Sequence, residues 1–208
     1  MRYIVTSPWW LRLFFPCGMT WHMPREEKII YLTFDDGPHP SVTPFVLDCL
    51  KKFNAHATFF CIGNNVDQYP EIYKRILDEG HRTGNHTQSH MNAQKVRDDT
   101  WLNDIEEAKK RINSDLFRPP YGRIKRNGAK ALFKQAPPYR IILWDVLSGD
   151  FDPGLSANQC TKNVIANTRS GSIVVFHDSA KAWARLEKTL PSVLKHYAER
   201  GFRFDAIS

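Results

Sequence analysis

Residues 28–40 read KIIYLTFDDGPHP. The first seven are rich in β-branched and aromatic side chains, which is a strand signal, and Gly37 and Pro38 end it. Between strand and stop stand Asp35 and Asp36, two adjacent acids with no basic neighbour to offset their repulsion. An Asp-Gly-Pro turn is ordinary chemistry, but it does not need two carboxylates behind a buried strand. Adjacent acids make sense where one binds a cation and the other stays free to move a proton.

The same strand-then-helix order recurs outward from this point. Strand signals lie at 57–63, 140–146 and 172–178, with shorter ones at 81–87 and 115–120 and a closing run at 201–207. Thr43 can cap a helix with Pro44 at its first position, whose apolar face is Phe45, Val46, Cys49, Leu50 and Phe53. Ser156 with Gln159 three residues on is a capping-box pattern, and 69–79, 100–113, 127–135 and 183–200 carry helical periodicity. Alternating strands and helices predict a parallel sheet covered by helices. Roughly six or seven such units in one domain predict an α/β barrel, closed or nearly so, with chemistry at the C-terminal strand ends.

The 208 residues suit a single domain with a substantial core. The net charge is +7, yet Lys and Arg are scattered rather than striped, which argues against nucleic acid and for a mild preference for anionic surfaces such as wall glycans. Cys17, Cys49, Cys61 and Cys160 have neither a CxxC spacing nor a compact framework. That excludes a disulfide scaffold and a cysteine-built zinc site, and Cys49 and Cys61 read as core residues. Residues 1–27 form an aromatic segment before a domain over 28–208. Pro8 and Arg12 break its apolar run, no small-residue cleavage site follows, and it is too short to span a bilayer. It reads as a packing element on a chain that is cytoplasmic by default. A peripheral membrane contact through Trp9, Trp10, Phe14 and Phe15 is the second reading.

Polar residues fall at the ends of the other strands: His86 and His90, then Arg118 and Tyr121, Asp145 and Asp150, His177 and Asp178. Histidines four apart fit one face of a helical turn and can share a metal. With Asp36 they make a two-His-one-carboxylate set, which suits catalytic zinc and equally non-haem iron. Each residue alone has a plainer explanation, such as a core histidine, a salt bridge or a turn anchor. Their joint occurrence at successive strand ends is the signal.

In order, TFDDGP, HTQSH, RPPYG, WDVLSGDF and VVFHDS resemble the five motifs of the polysaccharide deacetylase (NodB homology) domain, carbohydrate esterase family 4. The resemblance spans residues 28–208. It implies a distorted (β/α)7 barrel holding one divalent metal, most often zinc, with cobalt or another transition metal as alternatives. It also implies removal of acetyl groups from an N-acetylated carbohydrate. Carried over, Asp35 is the general base; Asp36, His86 and His90 are the metal ligands. Arg118 holds Asp35, Tyr121 supplies an oxyanion-binding backbone N–H, and Asp150 orients His177, the general acid. Pro119, Tyr121, Phe151 and Val175 line the substrate site. Leu147 stands where many members have an acid, Phe151 where many have Trp, and Val175 where Leu is usual. Those departures leave open peptidoglycan, chitin-like oligomers, an O-acetylated or lipid-linked sugar, and a small amide. A non-catalytic glycan-binding relative would not need base, acid and three ligands intact, and an iron oxygenase with this ligand set usually sits on a β-sandwich.

Overall fold

The strand expected over residues 28–34 is β1 (Ile29–Asp35), which lies near the centre of the sheet in the computed structural model, where residues 4–208 are described. It is followed by α1 (Val42–Lys52), β2 (Thr58–Cys61), α2 (Gly63–Gln68), α3 (Pro70–Asp78) and β3 (Arg82–Asn85). Then come α4 (Asp98–Lys109), β4 (Leu116–Phe117), α5 (Arg126–Phe133), β5 (Arg140–Ile141) and β6 (Val146–Leu147). The chain closes with α6 (Ala157–Asn167), β7 (Ile173–His177), α7 (Trp183–Ala198) and β8 (Arg203–Phe204). All pairings are parallel, in the order β5-β4-β3-β2-β1-β7-β6, and β8 joins β1 at Ile29 and Ile30.

The expected strand over 140–146 is divided. Arg140 and Ile141 pair with β4, whereas Val146 and Leu147 pair with β7. One stretch of chain therefore supplies both borders of the sheet, which curls round into the barrel that the strand–helix alternation predicts.

Side-chain alternation then decides what faces where. Ile30, Leu32 and Phe34 point outward into a core shared with α1 and α7, where Phe34 stacks on Phe59 and Phe176 at 5.0 and 5.9 Å. Burying each such ring contributes about 1.5–3 kcal/mol. Tyr31, Thr33 and Asp35 point inward. Met23, Phe60, Leu116, Ile142, Ile173 and Ile207 fill the interior below them. The polar residues are left for the C-terminal strand ends.

Three local expectations need correction. Thr43 is not the cap of α1; it lies in the first turn, accepts the His39 N–H at 2.7 Å and donates to Asp178 at 2.5 Å. The helix α2 is unexpected because Gly63, Asn64 and Asn65 are poor helix formers. Its first turn is tied instead to the loop after β3, through Gly63 N–H to Thr87 O and Asn64 N–H to Gln88 O. The third concerns the two histidines, treated below. The capping box forms, with reciprocal Ser156 and Gln159 hydrogen bonds.

Of residues 1–27, the first three lie outside the described residues. The rest borders the 140–147 stretch. Val5 O accepts from Leu147 N–H at 2.8 Å, Ser7 N–H donates to Asp145 O at 3.1 Å, and Thr20 exchanges bonds with Ile141 and Leu143 at 2.9 and 2.7 Å. Between these ties runs a 3₁₀ turn, Trp9–Phe14. Phe15 is not part of its outward face, since its ring packs edge-on against Trp21 at 5.0 Å. All four cysteines are free, and only Cys17 is exposed.

Candidate metal centre and active site

Parallel register sets Asp35 beside His177 at the ends of β1 and β7. Asp35 is 4 % exposed and accepts from Arg118 Nη1 at 2.7 Å. Arg118 follows β4 and is fully buried, so every polar atom needs a partner. It also donates to Thr33 Oγ1 at 2.7 Å and to the Ile142 and Leu143 carbonyls at 3.2 Å, and its guanidinium stacks 4.1 Å from the Phe60 ring. Such a clamp leaves Asp35 one orientation.

Asp36 turns the other way, because its backbone has φ 79°. It meets His86 and His90, with ligand atoms of the three all within 4.8 Å of one another. Asp36 Oδ1 lies 3.2 Å from His90 Nε2 and 3.7 Å from His86 Nε2, yet is buried without a well-formed hydrogen bond. A buried oxygen facing two imidazole nitrogens without a proper donor fits a cation. His86 Nδ1 lies 2.7 Å from Arg118 O. A carbonyl only accepts, so Nδ1 carries the proton and the Nε2 lone pair faces Asp36. Burial, the first cause, and the charge on His90 lower the His86 pKa to about 4, so it stays neutral and able to ligate. For Asp36, burial pushes the pKa up, but the close His90 ring and the charge on His177 overcome it and hold the carboxylate well below its usual range.

His86 and His90 do not share a helical turn. They sit in a loop whose Thr87 and His90 have φ of 66° and 57°. Of the five non-glycine residues with positive φ among the described residues, four are Asp36, Thr87, His90 and Tyr121. Each costs on the order of 1–3 kcal/mol, and strain of that kind gathers where function holds it.

On the opposite side, Asp150 accepts twice from His177: Nδ1 at 2.8 Å to Oδ1 and the backbone N–H at 2.8 Å to Oδ2. Burial alone would lower His177, but the Asp150 charge and hydrogen bond, helped by Asp36 and Asp35, raise it to about 9. Its imidazole is therefore cationic near neutral pH, with Nε2 free of Asp150. The arrangement sets a buried carboxylate, Asp35, and a half-buried imidazolium, His177, on either side of the Asp36, His86 and His90 cluster.

The residues expected to line a substrate site divide. Tyr121 is 60 % exposed, with its ring 4.7 Å from His90. Phe151 packs edge-on against His177 at 5.2 Å under the Lys181 cation. Pro119 is buried, and Val175, paired with Leu147 and Thr33, is 1 % exposed and has almost no surface to offer a ligand. Asp145 is a structural residue: it holds Arg25 at 2.9 Å, Ser172 Oγ and the Ile173 N–H. Sequence reasoning gave no role to Asp178. It is fully buried, binds Thr43, and comes so close to Gly37 that a Cβ there would lie 2.0 Å from its Oδ2. Its position next to His177 was the available signal.

Residues 22–136 match the family model described as polysaccharide deacetylase. The chain belongs to the polysaccharide deacetylase family. A peptidoglycan-N-acetylglucosamine deacetylase of Bacillus cereus is 39 % identical over 93 % of this chain and 93 % of its own length. The Listeria monocytogenes enzyme PgdA is 36 % identical over 88 % of this chain, which spans only 39 % of that longer protein. Among solved structures, a peptidoglycan N-acetylglucosamine deacetylase bound to 4-naphthalen-1-yl-N-oxidanyl-benzamide superposes with TM-score 0.85 at 34 % identity, covering 91 % of both chains. Peptidoglycan deacetylase PdaC of Bacillus subtilis gives TM-score 0.77 at 30 % identity, over 88 % of this chain and 89 % of that one. The polysaccharide deacetylases are metal-dependent hydrolases, and Asp36, His86 and His90 are the cluster among the described residues that could hold the ion.

Proposed function

We propose that this chain hydrolyses the acetamide of N-acetylated glycans, with the N-acetylglucosamine units of peptidoglycan as first substrate. The observation that carries the reading is the His/Asp triad flanked by a clamped carboxylate on one side and a cationic imidazole on the other. Asp36, His86 and His90 would hold the metal, and zinc suits both that donor set and a hydrolysis that involves no change of oxidation state. When bound, the ion polarises the acetyl carbonyl and makes water acidic. Asp35, held by Arg118, takes the proton of the attacking water. The Tyr121 backbone N–H donates to the oxygen that becomes negative. His177 gives its Nε2 proton to the departing amine, and acetate and a free amino sugar leave. Asp150 keeps that imidazole charged and oriented until it is needed.

The test is acetate release from N-acetylglucosamine oligomers and from peptidoglycan fragments by zinc-loaded protein. Release that disappears in Asp35→Asn supports the reading. Absence of acetate from every N-acetylated glycan, in protein shown to contain metal, overturns it.

A further inference from the structure

Among the described residues seven large apolar side chains are exposed, and five of them lie between residues 4 and 14. Trp9, Leu13 and Phe14 are 75, 71 and 72 % exposed, with Ile4 and Trp10 near half. This is not a frayed tail. The turn carrying them is pinned on both sides, through Ser7 to Asp145 and through Thr20 to Ile141 and Leu143. A fixed loop that holds two indoles and a phenyl ring in water exposes apolar surface that a soluble face has no use for. Tryptophan and phenylalanine beside cations are the side chains that settle at the boundary of headgroups and acyl chains.

The surrounding charge says which boundary. Lys and Arg are less evenly spread than their scatter along the chain suggests. From residue 116 to residue 144 there are seven cations and no acid, and with Arg118 buried against Asp35 six of them lie at or near the surface. Arg126 and Lys130 in α5 and Lys134 at its C-cap follow one another at four-residue spacing, the spacing that stacks them on one face. Phe133, from the same stretch of α5, packs against Gly18 of the N-terminal segment. On the other side a cavity of about 390 Å³ is lined by Thr6, Ser7, Arg12, Asp145, Thr168 and Arg169. Asp145 is already engaged by Arg25, Ser172 and the Ile173 N–H, and Arg12 Nε is buried without a hydrogen-bond partner. Two guanidinium groups and three hydroxyls around an open space fit an anionic phosphodiester. A second copy of this chain fits poorly, since a two-fold contact would set Arg12, Lys130 and Lys134 against like charges.

We propose that the Trp9–Phe14 turn is a peripheral docking site for a bilayer rich in anionic phospholipid. Trp9, Trp10, Leu13 and Phe14 enter the interface, Arg12 and Arg169 take a headgroup phosphate, and the α5 cations rest on the surface. No helix among the described residues is long and apolar enough to cross a membrane, so the contact is superficial. The ties of this segment fall at Ile141, Leu143 and Asp145 and at the turn entering β7. Asp145 and the Thr168–Arg169 turn precede β6 and β7, at the end of the barrel opposite Asp36, His86 and His90, so the Arg12 side of the turn docks away from the metal centre, whereas Ile141 and Leu143 tie the segment at the C-terminal end of β5.

Cosedimentation with vesicles tests this, using either phosphatidylcholine alone or equal parts phosphatidylcholine and phosphatidylglycerol. The wild-type chain should sediment with the anionic vesicles and far less with the neutral ones. The triple variant Trp9→Ala, Trp10→Ala, Phe14→Ala should stay in solution. Lys130→Gln with Lys134→Gln should weaken anionic binding by about fivefold per cation and leave neutral binding unchanged. Acetate release from a soluble oligomer should be unaltered in both variants. Wild-type protein that ignores anionic vesicles, or a triple variant that still binds them, overturns the proposal. So does a dimer in light scattering that the triple variant abolishes, or retention on a soluble polyanion with equal affinity in the presence and absence of the three aromatic rings.

Discussion

Replacing Asp150 with Asn removes one charge from beneath His177 while keeping an oxygen that can accept the Nδ1 proton. Burial alone would lower the imidazole; the Asp150 charge and hydrogen bond are the largest forces raising it, ahead of Asp36 and Asp35. Without that charge the pKa falls from about 9 toward its ordinary 6.5. At pH 8 the wild-type imidazole is about nine-tenths protonated and the variant's about 3 %, so amide hydrolysis should fall about thirtyfold, whereas near pH 6 the two should differ by less than about twofold. A bound cation cancels the help from Asp36 and lowers the imidazole in both proteins, so about thirtyfold is the upper limit and the gap between the two pH profiles is what Asp150 sets. The assay is kcat/KM against pH on an N-acetylated oligomer, with metal content measured in both proteins. A nitrophenyl acetate is run in parallel, because a phenolate leaves without a proton and its rates should stay close. An activity ratio independent of pH, or equal losses on both substrates, refutes the idea that Asp150 works by keeping His177 charged.

Asp35→Asn should keep its metal but lose roughly 10²–10⁴-fold in turnover, the usual contribution of a positioned base; loss of metal instead would mean Asp35 and Asp36 have exchanged roles. His86→Ala should lose nearly all bound zinc by elemental analysis, and full retention would remove the triad as the metal site. Phe151→Trp should reorder preference among glycan oligomers by about 1–3 kcal/mol, while Val175→Leu, at a buried strand position, should instead lower the melting temperature through overpacking. The metal-free protein should lose stability as pH rises from about 7 to about 9, read as a falling Tm. Asp178, raised by burial from 3.8 to about 8, contributes stability that declines from about pH 4 to about pH 8. His177, raised by Asp150 from 6.5 to about 9, contributes stability that declines from about pH 6.5 to about pH 9, so both losses overlap at the start of that range and His177 carries the rest. A flat Tm over that range contradicts both assignments.

Much of the site was legible because its residues are marked by local punctuation: an acid pair before Gly-Pro, two histidines, an Arg before two prolines, each after a strand. What was not legible is conformation that only tertiary contact decides. The four-residue spacing of His86 and His90 suggests a helix, but hydrogen bonds from the first turn of α2 to Thr87 and Gln88, and positive φ at Thr87 and His90, build a loop there instead. Helix α2 itself was invisible because its Gly-Asn-Asn start is disfavoured and is stabilised by tertiary bonds, to that loop and from Asn65 to the Asp36 carbonyl. The stretch 140–147 reads as one strand since its apolar pattern is continuous, and nothing local says that its two halves serve different neighbours. Asp178 was visible as a residue but not as a partner of Thr43, which lies 135 positions away.

That divided stretch bears on how the borders of the sheet are closed to other chains. An open sheet ends in two rows of unsatisfied amides and carbonyls, each a template onto which another chain can add a strand. Here both rims belong to one segment, and its remaining free groups at Ile141, Leu143, Asp145 and Leu147 are taken up by Val5, Ser7 and Thr20. The N-terminal residues thus act as a selvedge, the finished border that stops a woven edge from catching on its neighbours. A chain trimmed to residue 24 would keep Asp35, Asp36, His86, His90 and His177, yet would present a raw strand edge to every other copy, and clumping rather than lost chemistry would be the first sign of the damage.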